Sequence, residues 1–135
     1  MTSKKRPNLP QPTAAELELL RVLWKLGPST VREVHSTLER AKPAGYTTVL
    51  KMLQIMTDKG LVHRDERQRS HVYHPTLSEQ DTQRTLVDDL MERAFGGSAE
   101  SLVLRALESK HVSQEELTRI VRLIESQEEK GHGNV

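Results

Sequence analysis

Four short signatures constrain this chain most: Thr13-x-x-Glu16, Thr30-x-x-Glu33, Ser78-x-x-Asp81 and Ser113-x-x-Glu116. At that spacing the hydroxyl accepts from a free amide of a first helical turn, and the acid reaches back to the hydroxyl residue's own N–H. Apolar residues at helical spacing follow each one, so each marks a helix start. After Thr13 come Leu17, Leu20, Val22, Leu23, Trp24 and Leu26, and Gly27-Pro28 ends the run. After Thr30, the residues Val31, Val34 and Leu38 share one face of a second helix that stops before Pro43. A third helix is expected from Ala44 or Gly45 to Lys59, with Gly60 as its left-handed cap.

The middle of the chain changes period. Leu61 to Asp65 and Ser70 to His74 read as short strands around the charged stretch Glu66-Arg67-Gln68-Arg69, which makes a β-hairpin. Ser78 then opens a long helix carrying Leu86, Leu90 and Ala94, with Val87 and Met91 beside them. Gly96-Gly97 interrupts it, Ser101 to Leu107 is the most apolar window of the back half, and Ser113 starts a last helix. The fold expected is mainly α with a small β-hairpin: an N-terminal winged helix-turn-helix followed by a C-terminal helical dimerisation region. In residues, that is a flexible basic arm over 1–12, the winged helix over 13–77, the dimerisation helices over 78–130 and a tail over 131–135. A helical region that small has too little surface to be stable unpaired. The side chains expected to join two copies are Leu86, Leu90, Phe95, Leu102, Val103, Leu104, Leu107, Leu117, Ile120, Val121 and Ile124.

Charge divides along the same line. Met1 to Leu77 holds 13 Lys and Arg against 7 Asp and Glu, a net +6, and Ser78 to Val135 holds 7 against 12, a net −5. A basic front and an acidic back point to a polyanion-binding module joined to a part that does not touch the polyanion. With 35% hydrophobic and 3% aromatic residues, 135 residues bury only a modest core, and a second subunit would help. The chain has no Cys, which excludes a disulfide framework, a thiolate metal cluster and a cysteine nucleophile. No apolar run approaches bilayer length. The opening MTSKKRPNLPQP is basic but leads into no apolar stretch, so the protein is expected in the cytoplasm, with no direct membrane insertion.

The third helix should face the core with Val49, Leu53 and Met56, Met52 alongside, leaving Tyr46, Thr47, Thr48, Lys51 and Gln54 outward. Hydroxyl and amide side chains at a helix start suit base edges in a major groove, and Lys neutralises phosphate. The bland reading of such a face is ordinary solvation. The hairpin tips the balance, because His63, Arg64, Arg67, Arg69 and His71 crowd it with only Asp65 and Glu66 as counter-charges. A wing along a phosphate backbone releases counterions through such a cluster. Lys4-Lys5-Arg6 would either enter a minor groove or remain a disordered tail. Trp24 belongs to the core. His71-x-x-His74 spans a strand end, and His111 and His132 lack partners at ligand spacing, so no metal is expected. No cofactor or catalysis is expected either: there is no nucleophile–base constellation, no Gly-rich phosphate loop and no paired acids in an apolar setting.

The stretches PTAAELELLRVLWKLGPSTVREV, GYTTVLKMLQIMTDKGLVHRD and FGGSAESLVLRALESKHVSQEEL resemble the BlaI/MecI/CopY group of penicillinase-type repressors, over about Pro12 to Glu128. The last stretch is the most specific, since a generic winged helix lacks it. The resemblance implies a homodimeric repressor on a double-stranded dyad operator, often with TACA and TGTA half-sites, released by an inducing signal. It also implies a membrane metallopeptidase sensor as a partner, because in the antibiotic-sensing members such a receptor triggers cleavage within the dimerisation region. The bond cut in those members is Asn–Phe just after S-L-V-L. Here that position is Arg105-Ala106, a candidate cleavage site by position alone. Copper-responsive members carry C-terminal cysteines, which this chain lacks.

Two other functions stay open. A winged helix also serves as a protein-docking adaptor, which would expose apolar or acidic side chains where this chain has Thr47, Lys51, Arg64, Arg67 and Arg69. Leu50 and Ile55 are the awkward residues for a DNA-facing helix. A regulator sensing a small molecule in a pocket needs a convergent polar cluster that the sequence does not show.

Overall fold

The computed structural model describes residues 10–41, 44–109 and 112–133. The Lys4-Lys5-Arg6 arm, the Pro43 stop and His111 lie outside them. In chain order the elements are α1 (Ala14–Leu26), α2 (Val31–Ala41), α3 (Tyr46–Lys59), β1 (Val62–Asp65), β2 (Val72–Pro75), α4 (Glu79–Ala94), α5 (Ala99–Glu108) and α6 (Gln114–Gly133). They fall into two compact units, Met1–Leu86 and Val87–Val135, with the division inside α4.

All four capping signatures act as helix starts. Thr13 Oγ1 accepts from the Glu16 N–H at 3.1 Å while the Thr13 N–H donates to Glu16 Oε1 at 2.9 Å. Thr30 and Glu33 repeat the exchange at 3.2 and 2.9 Å. Ser78 Oγ accepts from Asp81 N–H and Ser113 Oγ from Glu116 N–H. Ser98 does the same for α5, receiving the Ser101 N–H at 3.1 Å. At the other end of α3, Gly60 adopts φ 84°, ψ 7°, a left-handed conformation that a side chain would strain.

The core of the first unit is where α1, α2, α3 and the hairpin converge. Leu23, Val34, Leu53 and Met56 are completely enclosed, and Leu19, Val49, Val62 and Tyr73 nearly so. Each such side chain contributes on the order of 1.5–3 kcal/mol relative to an exposed one. Two expectations for α1 need correction: Leu19 is a core residue although it lies outside the stripe read from the sequence, while Leu26 is 47% exposed. Leu26 sits in the last turn, beyond the reach of the packed elements. Trp24 packs against the core, and its Nε1–H donates to Leu77 O at 3.1 Å.

The hairpin also differs from its sequence reading. β1 and β2 pair antiparallel from Val62↔Pro75 to Asp65↔Val72, so the second strand begins at Val72, not Ser70, and Glu66 to His71 form an unpaired tip. Asp65 causes this early turn-off: its carboxylate accepts the Arg67 N–H at 3.0 Å and bends the chain directly after β1. Tyr73 also pairs outward with Ser29 through both backbone bonds, at 2.8 and 3.2 Å, giving the hairpin a one-residue third strand between α1 and α2. One residue carries no alternation, so nothing in the sequence announces it.

In the second unit, α4 ends at Gly96 and Gly97, both with positive φ (55° and 83°), and the Gly97 N–H returns to Met91 O at 2.8 Å. Among the described side chains from Val87 to Glu129 none is buried. No helix among the described residues is long and apolar enough to cross a membrane.

Candidate functional site

On α3 the inward positions Val49, Leu53 and Met56 leave Tyr46, Thr47, Thr48, Lys51 and Gln54 all exposed. Leu50 and Met52 are half-buried against the core, whereas Ile55 remains 41% exposed.

The three arginines of the wing stand in different electrostatic situations. Arg64 reaches Glu66 Oε2 from Nε at 2.8 Å and from Nη2 at 2.7 Å. Its hydrogen bond with Tyr73, and then the Glu66 carboxylate, raise its pKa above the ordinary arginine value. Arg67 grips Asp65 with Nε and Nη2, the shorter bond at 2.7 Å, although its side chain is 88% exposed. That guanidinium, followed by the Arg67 N–H, holds the Asp65 carboxyl far below the usual carboxylate range. Arg69 is exposed and has no ion-pair partner among the described residues. Among the described residues, carboxylates two positions away mask Arg64 and Arg67, and none masks Arg69.

An open cleft of about 510 Å³ joins the helix to the wing. Tyr46 and Leu50 line it from α3, Arg69, Ser70 and His71 from the wing tip, and Thr30 and Arg32 from the start of α2. The fold thus brings Tyr46 and Arg69 to one cleft. Thr48 lines a separate apolar groove with Leu38, Ala44 and Met52, and Arg64 and Arg67 line neither. His71 belongs to the basic wing cluster read from the sequence, whereas Thr30, Arg32 and Ser70 were not among the sequence candidates. The chain crossing between α2 and β2 at Ser29 and Tyr73 puts them there, and that crossing leaves no local pattern.

Of the positions expected to join two copies, Leu90, Val103, Leu104, Leu107, Val121 and Ile124 are exposed, and Phe95, Leu102, Leu117 and Ile120 half-buried. Val87 and Leu123, which were not expected, are exposed as well. Leu86 lines a small apolar pocket of the first unit with Leu20, Leu61 and Leu77. Arg105 and Ala106 are exposed on α5, where Arg105 Nη2 meets Glu108 Oε2 at 3.0 Å. His74 stacks on His63 across the hairpin, the rings parallel within 5° and 4.8 Å apart. Among the described residues no three metal-ligating side chains gather at one place.

A match to the penicillinase repressor family runs over residues 12–126. The chain is 29% identical over 117 residues to the penicillinase repressor of Bacillus licheniformis, spanning 87% of this chain and 91% of that one. It is 32% identical over 114 residues to the transcriptional regulator BlaI of Mycobacterium tuberculosis, spanning 83% and 80%. A solution structure of the Bacillus licheniformis BlaI monomeric form in complex with the blaP half-operator aligns with a TM-score of 0.49 and 31% identity, over 55% of this chain and 90% of that chain.

Proposed function

The chain belongs to the penicillinase repressor family and is a DNA-binding transcriptional repressor; we propose that it occupies a dyad operator as a cytoplasmic homodimer, without catalytic activity of its own. In this reading α3 enters the major groove, where Tyr46, Thr47, Thr48, Lys51 and Gln54 meet base edges and flanking phosphates. Arg64, Arg67 and Arg69 follow the backbone from the wing. The observation that carries it is the cleft lined together by Tyr46, in the first turn of α3, and Arg69, which has no ion-pair partner among the described residues. A side chain reading bases and a cation holding phosphate stand there on one surface of a basic unit.

Residues 13–77 are the winged helix and 78–130 the dimerisation region, flanked by the arm over 1–12 and the tail over 131–135. Val103, Leu104 and Leu107 on α5 and Val121 and Ile124 on α6 are exposed apolar side chains on successive helices, which a second copy would cover. Release follows from opening that region. Cleavage by a membrane metallopeptidase sensor at or near Arg105-Ala106 would cut α5 in the middle of its apolar run.

Selection of binding sites from a pool of random duplexes, using the full chain, tests the proposal. The expected outcome is enrichment of one dyad-symmetric site, bound by two chains. Enrichment of no sequence, or of an asymmetric site bound by a single chain, refutes it.

A further inference from the structure

Among the described residues, the helix proposed to read bases starts differently from the rest. A Thr or Ser hydroxyl caps each of α1, α2, α4, α5 and α6. Gly45 precedes α3 and offers no side-chain hydrogen bond to its first turn. An uncapped first turn frays, and here that turn carries Tyr46, Thr47 and Thr48.

His35 on α2 instead anchors the chain just ahead of that turn. Its half-buried ring reaches across to the chain just before α3, with Nε2 2.8 Å from Ala44 O. A carbonyl oxygen only accepts, so Nε2 carries the proton and donates. The same ring meets Tyr46 edge to face, with centroids 5.7 Å apart and planes at 77°, within the favourable range for an aromatic pair. One side chain therefore fixes the backbone at Ala44 and the ring at Tyr46, on either side of Gly45. Tyr46 is otherwise 46% exposed and lines the cleft facing Arg69.

We propose that His35 is a positioning residue for operator recognition, holding the first turn of α3 and the Tyr46 ring in the geometry that reads the site. The inference rests on α3 being the base-reading helix. Loss of His35 then lowers binding to the operator while leaving the wing's phosphate contacts, and with them binding to random DNA, almost unchanged.

The test uses the full chain, the duplex selected from the random pool and a scrambled duplex, all at one salt concentration. His35→Leu keeps the bulk but removes both donor and ring. It should cut the ratio of selected to scrambled affinity roughly tenfold, the size of one weakened base contact. His35→Gln retains an N–H donor but not the ring edge, and should cut the ratio about threefold, a partial rescue. If His35→Leu does not fold, His35→Gln decides the matter alone. A wild-type ratio in His35→Gln, or equal losses on both duplexes in either variant, overturns the proposal. Thr47→Ala run in parallel separates two ways of failing. If it lowers the ratio and the His35 variants do not, His35 has no positioning role. If none of the three changes the ratio, α3 does not read bases.

Discussion

Leu53 and Leu104 are the same residue type, each in the middle of a helix, yet Leu53 is wholly enclosed and Leu104 is 45% exposed. The contrast runs through the two units. The first closes α1, α2, α3 and the hairpin around a core that includes Leu19, Leu23, Met56 and Tyr73. The second has no buried side chain among its described residues, and Leu123 and Ile124 are more than half exposed. The first unit has what a chain needs to fold alone. The second leaves its apolar side chains exposed, and if a second copy covers them, as proposed, its stability rises with protein concentration.

The hardest test of that contrast separates the units. Truncation after Leu86 should leave a folded monomer, because the contacts of the first unit end there. Its affinity for the full dyad should fall by roughly 10²- to 10⁴-fold, since two half-sites are no longer engaged at once. Sedimentation and anisotropy titration measure both quantities, and a truncated protein that still dimerises would place the dimer contacts in the wrong unit.

A matched pair of substitutions sharpens the comparison. Leu53→Ala should cost about 2–5 kcal/mol of unfolding free energy at any protein concentration, because it leaves a cavity in a closed core. Leu104→Asp should leave the unfolding of the first unit unchanged and shift the monomer–dimer equilibrium toward monomer. Denaturation read at Trp24, which lies in the first unit and packs against its core, follows the first effect. Equal loss of stability in both variants would mean that the units fold as one.

Within the first unit, helix and wing should also part. Thr47→Ala should cost about 1–3 kcal/mol of preference for the operator over scrambled DNA. Arg69→Ala should weaken binding to both duplexes alike and reduce the salt slope by about one ion. Arg67→Ala should do less than Arg69→Ala, because Arg67 must first leave Asp65 before it can serve a phosphate. Affinities over a range of salt concentrations check all three, and a larger effect from Arg67 would show that the wing carboxylates do not mask it.

How legible these features were depends on their range along the chain. Helix starts are local, so Thr13, Thr30, Ser78 and Ser113 could be read from residues three apart, and each caps a helix. The buried face of α3 was legible for the same reason. What escaped was made by distant segments. Leu19 is enclosed because α1 is covered by neighbours on a broader face than its stripe indicates. Ser29 pairs with Tyr73 over 44 positions, and Thr30 and Arg32, which follow Ser29, line the cleft with the wing tip. The masking of Arg64 and Arg67 depends on side-chain geometry in the tip, where composition shows only that both charges are present.

The smallest expected effect distinguishes the units by acid. Glu16 is the one buried charged side chain among the described residues, and it belongs to the first unit. Burial alone would raise its pKa. The hydrogen bond from Lys59 at 2.8 Å, the Thr13 N–H and the Lys59 charge outweigh that and bring it below the ordinary 4.5. A folded-state pKa below the unfolded one means that the unfolded chain binds the proton more tightly. The stabilisation is therefore fully present above about pH 5 and drains away as pH falls through the folded value. Glu16→Gln can still accept the Thr13 N–H but loses the ion pair to Lys59, so at pH 7 it should be less stable by about 1 kcal/mol. Once acid protonates the wild-type carboxyl as well, the two proteins should converge. Urea midpoints of both proteins between pH 7 and pH 2 show whether they do. An offset that stays constant over that range would mean that the carboxylate charge adds nothing, and that Glu16 serves only to cap α1.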